Sequence, residues 1–303
     1  MVKCRLRVTH ILLILLLVIT VPISAYGVSG QIKITQPQSF PIVIDQPGSY
    51  VLTSNITVST INTKCIEIDA NDVTLDLNGH TLMGPGKTSG SNDSGIYASE
   101  KNNITIKNGT IQNFGKSGIV LSGSNHQIKD VMFCSNGLHG ISIISSIIIN
   151  CTASYNGSHG IYASYSTITN CITDSNDSHG ISATSSTVTK CTTSYNSSHG
   201  IYASNSTIVD CTTVNNSDRG IYASNSTITN CTANYNDSHG IYASSRCRIE
   251  GNNLRYNGGY GLYISSSYNY AIKNVASENS SGNFYSVSDN YMPFSGDNAN
   301  YGW

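Results

Sequence analysis

A repeat of about 20 residues constrains the fold of this chain more than any other feature. Gly followed by Ile or Leu recurs at near-constant intervals, at Gly95, Gly118, Gly140, Gly160, Gly180, Gly200, Gly220, Gly240 and Gly261. Intervals of this size are typical of solenoids, in which each repeat forms one unit that stacks on its neighbours. Within one repeat, Ile161 and Ala163 alternate with Tyr162, and this two-residue period predicts β-strands.

Other kinds of solenoid fit the repeat less well. A helical repeat needs an apolar stripe with a period of about 3.6 residues, and a leucine-rich repeat needs a framework of Leu and Asn. A left-handed hexapeptide helix needs a repeat length divisible by about 6 residues. The sequence therefore predicts an all-β fold, a parallel β-helix solenoid with coils of about 20 residues, in which equivalent side chains stack about 4.8 Å apart.

Stacked coils turn equivalent positions into ladders. The alternation predicts two inward apolar ladders, Ile161, Ile181, Ile201, Ile221 and Ile241 beside Ile168, Val188, Ile208, Ile228 and Ile249. Asn also recurs at one turn position, at Asn136, Asn156, Asn176, Asn196, Asn216 and Asn236. We expect this Asn ladder to occupy left-handed backbone and to bond amide to amide between coils.

A cysteine ladder repeats at the same interval, at Cys151, Cys171, Cys191, Cys211 and Cys231. Stacked inward residues keep their β-carbons about 4.8 Å apart, which is longer than the roughly 3.8 Å that a disulfide prefers. We therefore expect buried free thiols, although secretion would favour disulfides. The disulfide state of Cys65, Cys134 and Cys247, which lie off the ladder, stays open.

Composition excludes several classes of function. Charged residues make up 11% of the chain and the net charge is -1, so the basic surface that nucleic acids require is missing. Asn, Ser, Thr and Gly replace the usual charges, and these residues disfavour an all-helical fold. We expect no nucleic-acid partner.

The amino terminus has the features of a secretory signal peptide. Basic residues precede an apolar run over 11–21, which is shorter than the roughly 20 residues that span a bilayer. Cleavage is expected after Gly27, or after Ala25, with a retained anchor as the alternative. No second apolar run follows, so we expect a secreted or cell-surface protein without a membrane span in the mature chain. Asn-x-Ser/Thr sequons recur in the repeats and permit glycosylation.

Beyond the repeat, the segments 40–44 (FPIVI), 47–52 (PGSYVL), 73–82 (VTLDLNGHTL) and 84–86 (GPG) carry a family resemblance. They resemble the first coils of right-handed parallel β-helix proteins of the pectin-lyase-like superfamily, which includes polysaccharide lyases, hydrolases, epimerases, NosD-like periplasmic proteins and noncatalytic surface proteins. The resemblance implies a right-handed solenoid. The domains expected from it are a signal peptide at 1–27, an N-terminal cap at 28–65, the β-helix at 66–285 and a C-terminal cap or tail at 286–303.

Tyrosines form a candidate ligand-binding row at an outward strand position. The row comprises Tyr162, Tyr202, Tyr222, Tyr242 and Tyr263. Exposed aromatic rings can stack on sugar faces, but Tyr also favours strands and stacks on itself between coils. A second, partial row comprises Tyr155, Tyr195, Tyr235 and Tyr256.

Histidines share another turn position, at His139, His159, His179, His199 and His239, with Arg219 interrupting. Neighbouring imidazoles could bind a soft divalent metal ion, and His159, His179 and His199 are the candidates. The simpler interpretation is that duplication copied a turn residue, because no Cys or carboxylate recurs in register to complete a metal site. We therefore expect no cofactor.

Two functions remain open at this point. The first is a noncatalytic surface protein that binds a glycan or another envelope component or has a structural role. The second is a polysaccharide lyase, hydrolase or epimerase with its site in the less regular coils, around Asp69, Asp72, Asp76, His80, Lys107 and Lys129 or around Arg246, Arg248, Glu250 and Arg255. The uniform coils favour the first, because a catalytic site needs several different residues that converge. The sequence identifies no catalytic residue.

Overall fold

The protein is described by a computed structural model over residues 30–87 and 93–303, so the expected signal peptide at 1–27 lies outside the described residues. The described residues form a parallel β-helix of about 12 turns without any helix. Accordingly, none of their segments is a helix that could cross a membrane. The all-β parallel solenoid expected from the repeat is confirmed.

One face of the solenoid is a twelve-strand parallel sheet with one strand from each turn. Its strands are Ile42–Ile44, Ile66–Ile68, Ile96–Asn102, Ile119–Ser124, Ile141–Ile144, Ile161–Ser164, Ile181–Thr184, Ile201–Ser204, Ile221–Ser224, Ile241–Ala243, Tyr260–Ile264 and Gly282–Ser286. We call this the twelve-strand sheet.

The remaining strands belong to a second parallel sheet of 22 strands, which supplies two strands to most coils. They are Ile32–Ile34, Gly48–Leu52, Ile56–Thr57, Val73–Asp76, Thr81–Met83, Thr105–Gln112, His126–Cys134, Ser146–Ile149, Thr152–Ser154, Thr167–Thr169, Ile172–Asp174, Thr187–Thr189, Thr192–Ser194, Thr207–Val209, Thr212–Val214, Thr227–Thr229, Thr232–Asn234, Arg248–Glu250, Asn253–Arg255, Tyr270–Ile272, Val275–Ser277 and Tyr301–Gly302.

In the regular coils each strand pairs with the strand one repeat later. Ile161 pairs with Ile181, and Ile168 pairs with Val188. These side chains are fully buried, whereas Tyr162 is 44% exposed. Burial of stacked Ile, Val and Ala therefore forms a narrow core along the axis, and the expected inward and outward positions are confirmed.

The Gly before each Ile is required by close packing and not by an unusual backbone angle. A Cβ on Gly200 would contact the hydroxyl of Thr193 and would lie 2.7 Å from the carbonyl oxygen of Gly220. Backbone atoms cannot move aside without breaking the ladder, so only Gly fits there. This explains why the Gly-Ile pair marks every repeat.

The Asn ladder bonds between coils, as expected. The Nδ2 of Asn176 donates to the Oδ1 of Asn196 at 2.9 Å and to the carbonyl of Ala153 at 3.0 Å, and the backbone N–H of Asn176 donates to the same Oδ1. The expected left-handed backbone was wrong for these residues. It belongs to the preceding residue, such as Tyr155 or Tyr195, with φ of 56° and 52°. That preceding residue makes the turn, so the ladder Asn can point its amide inward.

Burial also bears on four of the sequons. Asn156, Asn176, Asn196 and Asn236 are no more than 1% exposed, and each Nδ2 is hydrogen-bonded inside the ladder. A glycan requires that amide nitrogen to be free and outside the core. These four sequons are therefore blocked in the folded protein.

Solenoid pairing extends into both terminal segments. Ile42–Ile44 pairs with Ile66–Ile68, and Gly48 pairs with Val73, within the segment 28–65 that was expected to form a cap. At the other end, Val275 pairs with Tyr301. The domain boundaries themselves stay predictions.

Candidate functional site

The tyrosine row runs along the outer surface of the twelve-strand sheet. Tyr202 pairs in register with Tyr222, and the two rings stack with centroids 5.1 Å apart. The stack continues through Tyr242 and Tyr263 to Tyr285, with spacings of 5.1, 5.3 and 4.6 Å. Tyr285 was missed from the sequence, although it lies in register with Tyr263. Because each ring covers its neighbour's face, mainly ring edges and hydroxyls remain for a ligand.

Ser182 interrupts this row, and the rings on either side of it stack on histidines. Tyr162 lies 5.2 Å from the His139 ring and 5.7 Å from the His159 ring. Tyr202 lies 5.2 Å from the His179 ring. The tyrosine row and the histidine position, which are separate in sequence, therefore form one continuous aromatic strip.

The histidines themselves form a stacked column. Ring centroids of His139, His159, His179 and His199 follow one another at 5.0, 4.9 and 4.8 Å. The Nδ1 of His159 accepts the backbone N–H of His179 at 3.3 Å, and the same bond recurs between neighbouring coils. An Nδ1 that accepts leaves the ring proton on Nε2.

Burial keeps this column neutral. Burial, followed by the charge of the neighbouring histidines, lowers the pKa of His139 and of His179 to about 4. Burial also lowers the pKa of His159. At neutral pH the column is therefore a stack of uncharged rings, with no repulsion between coils.

The column lacks the features of a metal site. In neutral His159 and His179 the Nδ1 lone pair is occupied by a backbone N–H, and Nε2 carries the proton. Within residues 30–87 and 93–303, no three His, Cys, Asp or Glu side chains are grouped so that they could hold a metal ion. Metal binding by His159, His179 and His199 stays a prediction that this geometry does not favour.

Arg219 replaces histidine in one coil and joins the aromatic strip. Its guanidinium lies 4.2 Å from the Tyr242 ring centroid and 5.4 Å from that of Tyr222. The Asp218 carboxylate lies 3.2 Å from Nδ1 of His199 and 4.0 Å from Arg219. A cation over a ring face is favourable, so Arg219 continues the stack and does not stand free as a catalytic base.

The second tyrosine row lies at the turn before the Asn ladder. Tyr155, Tyr195, Tyr235 and Tyr256 have φ between 52° and 56°, a left-handed conformation that costs a residue with a side chain roughly 1–2 kcal/mol. Their exposed fractions are 60, 61, 53 and 40%. Tyr235 and Tyr256 stack at 4.9 Å, whereas the structure gives no ring partner to Tyr155 or Tyr195 among the residues it describes.

The irregular coils bring charged residues into one column on the second sheet. Asp76 pairs in register with Lys107, which pairs with Lys129. Asp76 and Lys107 form an ion pair at 3.3 Å. Burial alone would raise the pKa of Asp76, but hydrogen bonds from the Asn78 backbone, Asn108 and Lys107 bring it below its ordinary value.

Other candidates from the irregular coils are separated or paired. Asp69 forms an ion pair with Lys101 at 2.7 Å, and Asp72 accepts a hydrogen bond from Asn103. Arg248 pairs with Glu250 at 2.6 Å. Arg255 donates to Asn253 and lies over Trp303, at 5.7 Å from its ring. Each of these five residues has a partner of its own, so they form several small groups and not one convergent cluster.

The cysteines agree with the expected thiol stack. All eight described cysteines are free, and the five ladder cysteines are no more than 1% exposed. The thiol of Cys191 donates to the carbonyl of Thr189 at 3.3 Å. Cys65, Cys134 and Cys247 are also free thiols. Burial raises the pKa of Cys65 to about 12.

A family profile matches most of the described solenoid. The family described as "Right handed beta helix region" matches in three overlapping stretches, at residues 40–187, 94–227 and 163–299. No curated protein matches the sequence.

Solved structures share the fold at low sequence identity. The A-modules of the mannuronan C-5 epimerases AlgE4 and AlgE6 of Azotobacter vinelandii each match with a TM-score of 0.55 and 14% identity, over 90% of this chain and 85% and 90% of theirs. The Dettilon tailspike protein matches with a TM-score of 0.52 and 12% identity, over 90% of this chain and 60% of its own. The right-handed β-helix implied by the sequence resemblance is confirmed, and these similarities concern the fold.

Proposed function

The chain belongs to the right-handed β-helix family, and from that premise we propose that it is a noncatalytic, secreted or cell-surface protein that binds a polysaccharide or another envelope glycan. The aromatic strip is one contact surface. It comprises Tyr162, Tyr202, Tyr222, Tyr242, Tyr263 and Tyr285 with the stacked histidines and Arg219.

The observation that carries this proposal is the contrast between repeated and converging side chains. The strip presents the same ring edges and hydroxyls coil after coil, spaced by about 5 Å. In the described residues, the charged candidates of the irregular coils lie in small separate groups, such as Arg248 with Glu250. A repeating surface suits a repeating polymer, whereas catalysis needs different groups around one bond.

The names of the similar structures support a glycan partner. Two of them are modules of mannuronan C-5 epimerases, which are named for a polysaccharide. We carry over the glycan as a class of ligand and no residue role, because identities of 12–14% leave the sites unrelated in sequence.

Binding that increases with ligand length tests the proposal. Purified protein, titrated with oligosaccharides of increasing length from neutral and acidic polysaccharides, should bind longer chains more tightly, because each added coil contact adds affinity. Changing Tyr202 alone to Ser should weaken binding modestly, and changing Tyr202 and Tyr222 together to Ser should weaken it further. Changing Asp76 to Asn should leave it unchanged. No binding to any glycan, or binding that is independent of length, would contradict the proposal.

A second candidate is a carbohydrate-active enzyme whose site lies in the irregular coils. The column of Asp76, Lys107 and Lys129 favours it, because Lys107 is paired with Asp76 and Lys129 lies one coil further, and a carboxylate and amines in one column can exchange protons with a sugar. A lyase, hydrolase and epimerase assay on polysaccharides tests this candidate. Product formation that Lys107→Met or Asp76→Asn abolishes would replace the noncatalytic proposal.

A further inference from the structure

The turn tyrosines stand out because their backbone conformation is unfavourable for them. Tyr155, Tyr195 and Tyr235 have φ of 56°, 52° and 56°. The coils between them carry Ser175 and Asn215 at the same position, also with positive φ. Asn adopts this conformation more readily than Tyr, so the turn itself does not require an aromatic ring. A strained residue that the fold does not need points to a role for its side chain.

The alternation of ring and small residue creates gaps between the rings. Tyr155, Ser175, Tyr195, Asn215 and Tyr235 follow one another at one residue per coil. Coils are about 4.8 Å apart, so neighbouring rings of this row are separated by about 9.6 Å. The exposed fractions of 60% and 61% for Tyr155 and Tyr195 agree with rings that nothing covers.

The row shows how such a gap is filled. Tyr235 and Tyr256 lie in adjacent coils, and their rings stack at 4.9 Å with an angle of 7° between the planes. A ring inserted at the level of Ser175 would lie about 4.8 Å from each neighbouring tyrosine, within the range of favourable ring contacts. The gap thus has the dimension of one missing ring.

The first gap also has a polar floor. The Asp174 carboxylate accepts hydrogen bonds from the hydroxyls of Ser175 at 2.8 Å and Ser194 at 2.6 Å. A pyranose presents an apolar face to a tyrosine and hydroxyls at its edge, so it satisfies both the walls and the floor. A purely aromatic ring would offer no further hydrogen bond to the Asp174 carboxylate, which can accept more than the two that it receives from the serines, and a uronic acid would bring its own carboxylate close to Asp174.

We propose that the gaps between Tyr155 and Tyr195 and between Tyr195 and Tyr235 are two sugar-binding slots, each of which takes one neutral pyranose unit. That unit is the end of a glycan chain, a branch, or one residue of a chain that crosses the row. This inference rests on the proposed glycan-binding function and assigns it a site separate from the aromatic strip. The floors differ, since Val214 and Asn215 stand in the second slot where Asp174 and Ser175 stand in the first, so the carboxylate floor belongs to the first slot alone.

Filling the slots without removing any tyrosine tests this geometry. In the variant Ser175→Tyr with Asn215→Tyr, the new rings would complete the stack as Tyr256 does beside Tyr235. Protein with isotope-labelled tyrosine rings is titrated with methyl pyranosides, and the ring resonances are followed by NMR. In the wild type the signals of Tyr155, Tyr195 and Tyr235 should shift, and in the filled variant the shifts should disappear.

A matched pair of single variants provides the control. Tyr195→Asn removes the ring shared by both slots, whereas Tyr165→Asn makes the same change at another left-handed tyrosine that is 64% exposed. Both should raise Tm, because Asn relieves the backbone strain. Only Tyr195→Asn should weaken methyl pyranoside binding, by about three- to tenfold. This pair remains informative if the filled variant does not fold.

The outcomes separate the slots from the wider proposal. Slots are contradicted if the filled variant binds methyl pyranosides as the wild type does, if both Asn variants lose binding equally, or if the matching uronic acids or phenol bind better. In those cases length-dependent polysaccharide binding by the wild type would still support the glycan-binding function. A wild type that binds no glycan of any length overturns both.

Discussion

The regular coils at 140–241 and the irregular coils at 31–134 share one architecture but differ in their core residues and in the distribution of their ion pairs. The regular coils have a core of small stacked residues, including Ile161, Ala163 and Cys171, whereas the irregular coils bury larger side chains such as Phe114 and Phe133. Four of the eight ion pairs among the described residues lie within 64–130. Repetition therefore produces extended identical surfaces, and variation in coil length produces local groups of different residues.

Deleting coils is the most severe test of this comparison. Removal of 180–199 takes out one whole regular coil and lets Ile161 pair with Ile201, so the protein should fold with modest loss of stability. Removal of 180–189 shifts every following ladder and should prevent folding. Urea denaturation followed by circular dichroism measures both.

The irregular coils should tolerate the same operation poorly. Removal of 118–139 would place Ala153 where Phe133 now packs against Ile111, because these three residues share one register. The cavity left behind should make this deletion far more destabilising than removal of 180–199. Equal stability of the two whole-coil deletions would contradict the distinction between the regions.

Truncating one core side chain in each region makes the same comparison with a smaller perturbation. Phe133→Ala should lower the free energy of unfolding by about 3–5 kcal/mol, since a fully buried ring is lost. Ile168→Val in the regular coils should cost only about 0.5–1.5 kcal/mol. Chemical denaturation of both variants gives the two values, and a smaller loss for Phe133→Ala would show that the irregular core collapses around the cavity.

Within the regular coils, the Asn ladder should make the largest contribution of any polar group to the free energy of unfolding. Asn196→Ala removes the acceptor of Asn176 and the donor to Asn216 and Thr173, and should cost on the order of 3 kcal/mol. Asn205→Ala, at an exposed left-handed turn, should cost about 1 kcal/mol. Similar losses from both, measured by urea denaturation, would mean that the ladder bonds add little.

The cysteine ladder should contribute less. Cys191→Ala should cost on the order of 1 kcal/mol, as for a small core truncation, and not the roughly 2–5 kcal/mol of a lost disulfide. Thiol titration of unfolded, unreduced protein should find the five ladder thiols free, and the native protein should react slowly because they are buried. Complete oxidation would contradict the thiol stack.

The smallest expected effect is a pH dependence concentrated in the regular coils. The folded pKa of His139 and His179 is about 4, below the value of about 6.5 in the unfolded chain. The unfolded state therefore binds more protons, so the column's contribution is complete above about pH 6.5 and is lost as pH falls toward 4.

Substitution of one ring tests that dependence. His179→Asn keeps an acceptor near the His199 backbone N–H and should flatten the decrease in Tm between about pH 6.5 and 4. His126→Asn is the matched change at a lone buried histidine of the irregular coils, whose Nδ1 accepts the Ile104 backbone N–H. Its effect should be smaller, because no stacked histidine surrounds it. Identical profiles of Tm against pH for the two variants would contradict the prediction that the regular coils are more sensitive to acid than the irregular coils.

The sequence alone determined the solenoid, its inward ladders and the outward position of Tyr162. A two-residue alternation sets which side chains face the core, and a constant repeat places equivalent residues above one another, so Ile161 and Ile181 follow without knowledge of the backbone path. The hydrogen bonds between the side-chain amides of the Asn ladder follow for the same reason.

Only the tertiary structure decided how separate columns meet across a turn. The stacking of Tyr162 on His139, the guanidinium of Arg219 over Tyr242, and the left-handed φ on the residue before each ladder Asn depend on the backbone path through the turns. Repeat spacing gives no information on that path, because it relates equivalent positions in different coils and not different positions within one coil.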